Sequence, residues 1–403
     1  MVDGVINASA ADEEPGRTRP GVPAFIRLWL GGWPLAQLAL YLGTLLVFIW
    51  LGRNLLANMA RLGLTPGFAF MGHTANYEIG ESFIAYAAGD SYARAALVGL
   101  LNTIAVSALG CLVATGLGVS LGIARLSPNP LISRLVQAYV ELLRNTPLLL
   151  QLFAWNTVIH LLPVPKQALS PLPGILLSNR GLFLPAIDTG GHGLPMLAVV
   201  SASLIATWAI LRRRRRLAGP SPRRVVALAY LAALSVPLAV AAGFGIAFTP
   251  DIPALKGFNI RGGASMTPEF AALMLGLAVN ASASIAETVR AGILAIPNGQ
   301  WEAARSLGLR PLAVMRLVIL PQALRIIIPV MTSSYLSLTK NSSLAVAIGF
   351  PDLVSILNTT ANVSGQALEV IALMLGAYLT LSLATSAVMN AYNRSHVLRS
   401  ERR

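Results

Sequence analysis

Charge is what this chain has least of. Asp, Glu, Lys and Arg make up 11% of its 403 residues, while 55% are hydrophobic. Soluble domains carry about 25% charge, and a soluble protein this poor in charge lacks the polar groups to cover its surface. A protein solvated by lipid needs far fewer. One cysteine, Cys111, excludes an intrachain disulfide, and its Ala/Val/Gly neighbourhood reads as packing. Only three lysines occur, Lys166, Lys256 and Lys340, and none follows a G-x-x-x-x-G loop. The nucleotide-phosphate cradle of a P-loop is therefore missing. The four histidines are scattered, no His/Cys/Asp/Glu group has metal-ligand spacing, and no nucleophile–base pair stands out. Neither a metal centre nor a catalytic constellation is expected.

What is present is a series of long apolar runs. About 20 residues cross 30 Å of hydrocarbon as a helix. Eight runs approach that length, at about 33–52, 95–124, 135–163, 194–211, 225–247, 269–291, 317–349 and 368–391. The third and seventh are interrupted by charge or proline. The expectation is an all-α polytopic membrane protein. Its parts are a polar N-terminal tail (1–32) without a signal peptide's apolar core, a first helix (33–52), a polar segment (53–94), a helical domain (95–391) and a C-terminal tail (392–403). Residues 164–193 and 248–268 read as Pro/Gly-rich loops.

The formal charge is +14, and its distribution orients the chain. With the N-terminus inside, 22 of the 30 Lys and Arg residues fall in inner segments, and the acids divide evenly. Lys and Arg alone govern orientation, so both termini are placed in the cytoplasm. This excess reads as topology and not as nucleic-acid binding, which needs a basic face on a folded soluble domain.

One inner segment has its own local logic. Ile296-Pro297-Asn298-Gly299 is a turn. Gln300–Leu307 holds good helix formers, with Glu302 in the first turn where a carboxylate suits the dipole. Gly308 can end that helix left-handed, Pro311 can start another, and Pro321 interrupts the return to apolar sequence. Ala303, Ala304 and Leu307 are read as one small docking face. In full, Glu302-Ala303-Ala304, three residues, Gly308, nine residues, Val318-Ile319-Leu320-Pro321 resembles the EAA loop of binding-protein-dependent ABC importers, with Val for the usual Ile. "YVELLRNTPLLLQL" (139–152), "SIAETVRAGILAIPNGQWEAA" (284–304) and "LTKNSSLAVAIGFPDL" (338–353) resemble polar amino-acid permeases. With the acidic stretch "YEIGESFIAY" (77–86), the chain is most similar to the Q-type subunit of general L-amino-acid (Aap-type) systems.

The resemblance implies a type-1 permease core, expanded by the 33–52 helix and by a helical hairpin inserted at about 164–268. It implies that ATP and Mg are bound by a separate cytoplasmic ATPase docking on Glu302, Ala303, Ala304, Gly308, Leu320 and Pro321. It further implies a periplasmic amino-acid-binding protein and a second permease subunit, a homologous M-type partner or another copy of this chain. An ion-gradient-driven transporter and a membrane enzyme stay as alternatives; the first would leave the EAA loop unexplained.

Charges inside spans are costly and mark functional positions. Glu141/Arg144 and Glu287/Arg290 each stand at i, i+3, either neutralising one another or gating the inner mouth. Asn280, Ser282 and Ser284, and Lys340, Asn341, Ser342 and Ser343, offer the donors and hydroxyls that a zwitterion needs. They serve equally well as interhelical hydrogen-bonding groups. The run Arg212–Arg216 pins a hairpin end or binds anionic membrane lipid. Gly118 and Gly122, a G-x-x-x-G, read as helix packing.

Overall fold

A computed structural model describes residues 34–61, 63, 67–188, 193–218, 222–243 and 249–396. The expected tail 1–32 and most of 392–403 lie outside the described residues. The chain divides into two units, Met1–Gly67 and Phe68–Arg403. The first holds helix α1 (Pro34–Arg61).

In the second unit, α2 (Tyr92–Ala124) is capped by the Ser91 side chain. Then follow α3 (Pro130–Asn145) and α4 (Leu148–His160). The expected span 135–163 is thus two helices. Pro147 has no N–H to continue the first, and it restricts Thr146 to extended backbone (φ −99°, ψ 129°). Strands β1 (Leu169–Leu172), β2 (Ile175–Ser178), β3 (Gly181–Leu184) and β4 (Ala186–Asp188) precede α5 (Gly193–Ala218) and α6 (Arg223–Gly243). After these come β5 (Thr249–Asp251), β6 (Ala254–Lys256), β7 (Asn259–Arg261) and β8 (Ala264–Met266). The two expected loops are therefore largely strands. β1-β2-β3-β8 form one antiparallel sheet, with Leu182 opposite Met266, and β4-β5 and β6-β7 form two short ribbons. Pairing β3 with β8 stitches together the flanks of the α5–α6 pair and satisfies backbone groups that helices cannot use here.

The remaining elements are α7 (Pro268–Leu294), α8 (Asn298–Ser306), the single turn α9 (Pro311–Val314), a π-helical turn Met315–Ile319 and α10 (Leu320–Asn341). A 3-10 segment (Ser342–Ile348), α11 (Leu353–Ser364) and α12 (Ala367–His396) complete the chain. Pro321 does not break the climb. The N–H of Leu320 bonds Met315 O, one residue further back than in an α-helix, and this wider turn makes room for the proline ring. α11 was not foreseen as a separate helix; Asp352 caps it, accepting from Ser355 N at 2.8 Å. Burial pushes the Asp352 carboxyl up to about 6. Six described helices are long and apolar enough to cross a membrane, against eight expected spans. The differences are the broken third span and α5, which contains 194–211, closes on the arginine run, and is not among the six.

The centre of this unit is α2 against α7. At one end, Arg125 beside α2 bonds Glu287 of α7. At the other, Asn102 of α2 donates to Glu81 O at 2.9 Å and Pro351 O at 2.8 Å, while Glu81 accepts from Thr267, the α7 cap. The helices therefore run parallel. They approach closely because Gly118 and Gly122 face α7: a Cβ on Gly118 would lie 2.6 Å from Ile285 Cβ, and one on Gly122 2.8 Å from Val289 Cβ. Small residues let backbones approach where water supplies no drive to associate. The expected polar loop is an ordered cap over the Thr267 end. Tyr77 OH bonds Thr360 Oγ1 at 2.8 Å, and Phe83, Phe270 and Phe350 stack edge to face with centroids 6.2 and 5.6 Å apart. Burial raises the Glu81 carboxyl above its usual range, partly offset by the Thr267 hydrogen bond.

Substituting Gly118→Val forces side-chain atoms into α7, at an expected cost of about 1–3 kcal/mol. Gly116→Val, where nothing lies within 4 Å, serves as the control. Thermal unfolding of the purified proteins should show a lower midpoint for the first and little change for the second; equal midpoints would contradict the close packing.

Candidate functional site: a serine-lined cavity above a charged helix end

The break between α3 and α4 sits beside a cavity of about 200 Å³. Its polar lining is Asn280 and Ser284 from α7, and Ser333, Ser334, Ser337 and Asn341 from α10. Its apolar lining includes Leu148, Leu277 and Val330. Among the described residues, no charged side chain lines it. Leu148 is the first residue of α4, so the N-terminus of that helix borders the cavity. The interrupted backbone is satisfied internally: Gln151 Nε2 donates to Leu143 O at 2.9 Å and Thr146 O at 3.0 Å, and Asn280 Nδ2 reaches Leu143 O at 3.5 Å. Irregular backbone inside a membrane is tolerated where it is held by protein or borders a cavity. Tyr139 OH and Ser282 Oγ, 2.9 Å apart, tie α3 to α7.

The structure sorts the candidate residues. Asn280, Ser284 and Asn341 meet at the cavity. Lys340 does not line it; one step round α10 from Asn341, its side chain is exposed. Ser342 is fully buried, donating to Thr339 O at 2.7 Å; it belongs to the interior and not to a path. Ser333, Ser334 and Ser337 were missed. Their spacing of one and four puts three hydroxyls on one face of an otherwise apolar helix, and that was the available signal.

Of the two charge pairs, one forms. Glu287 bonds Arg290 Nη2 at 2.7 Å and also bonds Arg125, which the sequence did not single out. Glu141 and Arg144 make no ion pair: Glu141 accepts from Gln137 Nε2 at 2.7 Å, one turn earlier. One carboxylate thus gathers two arginines, Arg125 just beyond α2 and Arg290 of α7, towards the ends of these helices.

Beyond them lies α8. Its start is fixed by Pro297 and its end by Gly308, at φ +71°. Ala304 is 3% exposed and packs on the chain's own core with Trp301 and Val314. Ala303 and Glu302 are exposed, and Leu307 is 79% exposed. The expected shared face of Ala303, Ala304 and Leu307 is therefore corrected: residues 303 and 304 are 100° apart on a helix, and Ala304 looks inward. Leu320 and Pro321 lie where the π turn joins α10.

The model of the family described as "Binding-protein-dependent transport system inner membrane component" matches residues 114–396. The chain belongs to this family. It is a permease component of the multi-pass inner-membrane class. The permease protein YhdX of Escherichia coli (strain K12) is 46% identical to it over 86% of this chain and 89% of that protein. The general L-amino acid transport system permease protein AapQ of Rhizobium johnstonii is 44% identical over 87% and 88%. The glutamate/glutamine/aspartate/asparagine transport system permease protein BztB of Rhodobacter capsulatus is 38% identical over 89% and 92%. A crystal structure of an amino acid ABC transporter with histidines is similar over 75% of this chain and 95% of that one, at 22% identity and a TM-score of 0.45. Helix α1 precedes the matched region of the permease.

Glu287→Gln should leave Arg125 and Arg290 without their shared anion. Losing hydrogen bonds to a charged group costs roughly 1.5–3 kcal/mol. The purified permease should unfold at a lower temperature, and an added Arg125→Gln should cost less in the Glu287→Gln background than alone. Strict additivity would show that the two groups do not act together.

Proposed function

We propose that this permease carries L-amino acids across the inner membrane as one of two membrane subunits of an ABC importer. The observation that carries the reading is the cavity: small, neutral, rich in hydroxyl and amide groups, and bordered by a helix N-terminus. A helix start favours a carboxylate through its free N–H groups and dipole, and the serine and asparagine oxygens can accept from an ammonium. The carboxylate partner is therefore the α4 terminus in place of Lys340. The names of AapQ and BztB support amino acids as the substrate class.

The driving force comes from a separate ATPase. Exposed Glu302, Ala303 and Leu307 on α8, with Ala304 and Gly308 setting its seat and exit, are its docking surface. α8 leads through α9 and the π turn into α10, which lines the cavity, so a push on α8 reaches the substrate directly. A binding protein delivers substrate to the opposite end, where the Tyr77–Tyr86 cap lies. The tally of Lys and Arg supports a cytoplasmic position for α8 and both termini. Residues 164–268 are an insertion into the permease core, and α1 is an addition before it. The second membrane subunit is a homologous M-type chain or another copy.

The test uses the exposed face. Ala303→Asp places a charge in the ATPase contact while leaving this chain's packing intact; Ala304→Asp would damage the permease itself and separates nothing. Gly308→Val puts a β-branched residue at positive φ, at about 1–2 kcal/mol. Both variants should reach the membrane. Both should lose the co-purifying ATPase, or retain it with hydrolysis uncoupled from uptake, and Arg310→Gln should be milder. Full coupled uptake by both variants would refute the docking surface.

A further inference from the structure

The strands flanking α5 and α6 carry a feature that the transport reading leaves unused. β6 and β7 form a hairpin whose two-residue turn is Gly257-Phe258. Ile260 is 3% exposed and anchors it, while Phe258 at its tip is 82% exposed. Lys166 Nζ sits 4.2 Å from the Phe258 ring centroid, and Lys256 precedes the turn. Two of the chain's three lysines thus flank one bare aromatic ring. We infer that this tip is a membrane-interface anchor, with Phe258 seated at the edge of the hydrocarbon and Lys166 and Lys256 on anionic phospholipid headgroups.

Three observations name lipid as the occupant. First, connectivity holds the hairpin at membrane level: β8 ends at Met266 and α7, a membrane-crossing helix, starts at Pro268. Second, the apolar surface is continuous. Leu150 and Val158 are 58% and 52% exposed along α4, and Leu161 and Val164 just beyond it are 77% and 50% exposed. The Pro165–Gln167 turn that follows packs against β7. The exposed apolar stripe of α4 therefore runs up to the hairpin. Third, the charge is complementary. The strands hold Lys256 and Arg261, the adjoining turns Lys166 and Arg180, against Asp188 and Asp251 alone. Asp251 is already engaged, accepting from Gly263 N at 2.7 Å. A lysine stem lies along apolar surface while its ammonium reaches the phosphates, and aromatic rings collect at this depth. The geometry is that of a cation held over a ring face.

The test is depth measurement on the full chain in vesicles of phosphatidylethanolamine and phosphatidylglycerol. With Cys111→Ala as background, a spin label is placed by Phe258→Cys, or by Gly72→Cys in the exposed cap as reference. Collisions with oxygen relative to a water-soluble nickel reagent should be several-fold more frequent at 258 than at 72. Lys166→Gln with Lys256→Gln, or pure phosphatidylcholine, should bring the ratio at 258 toward the reference. Equal ratios at 258 and 72 in the anionic vesicles would overturn the anchor. A ratio insensitive to both lysines and to lipid charge would overturn the headgroup contact. A label that stays in water until a binding protein is added, and is shielded only then, would assign the tip to protein docking instead.

Discussion

The close parallel contact of α2 with α7 is the constraint on which the rest of this unit depends. Gly118 and Gly122 let the two backbones approach, and each end of the pair is then fastened by polar groups: Arg125–Glu287 at one, Asn102–Glu81–Thr267 at the other. Association inside a membrane draws on van der Waals contact and hydrogen bonds, because lipid is as apolar as the helices. A pair packed this tightly has little freedom to slide. It serves as a fixed rail against which α3, α4 and α10 are placed.

That rail explains where the cavity lies. α7 contributes Asn280 and Ser284 from its middle, between the fastened ends. Opposite it stand the broken α3–α4 helix and the serine face of α10. α8 lies between two of these walls in the chain, joined to α7 across Ala295–Pro297 and to α10 through α9 and the π turn before Pro321. With α7 held in its contact with α2, we propose that α10 is the wall that moves with α8. In the proposed reading, coupling passes from the partner ATPase through this short helix, whose inner residue, Ala304, packs on the core.

Much of this was legible in the sequence, and what was not has identifiable causes. The α8–Gly308–Pro311 segment was readable because glycine and proline act locally; Glu302, expected in the first turn, lies deeper because α8 already starts at Asn298. Gly118 and Gly122 were readable by their spacing. The facing of Ala304 was not, since two adjacent alanines look alike until a core chooses between them. The Lys340 assignment followed from charge alone, and the structure shows a neutral cavity reached by its neighbour Asn341. The Glu141–Arg144 pair failed for the opposite reason: i, i+3 spacing permits contact without requiring it, and Gln137 competes for the carboxylate. The strands at 169–188 and 249–266 were read as loops because three- and four-residue strands carry too little periodicity; long-range pairing of β3 with β8 decides them.

The central claim is that transport through this chain is driven by a nucleotide-hydrolysing partner and not by an ion gradient. The most direct measurement is uptake of a radiolabelled L-amino acid mixture into proteoliposomes containing the permease, its co-purifying ATPase and binding protein, with ATP supplied to the ATPase side and all ion gradients collapsed. The account predicts uptake that needs ATP and ceases when the ATPase is omitted. Uptake by the permease alone under an imposed proton or sodium gradient, indifferent to ATP, would contradict it.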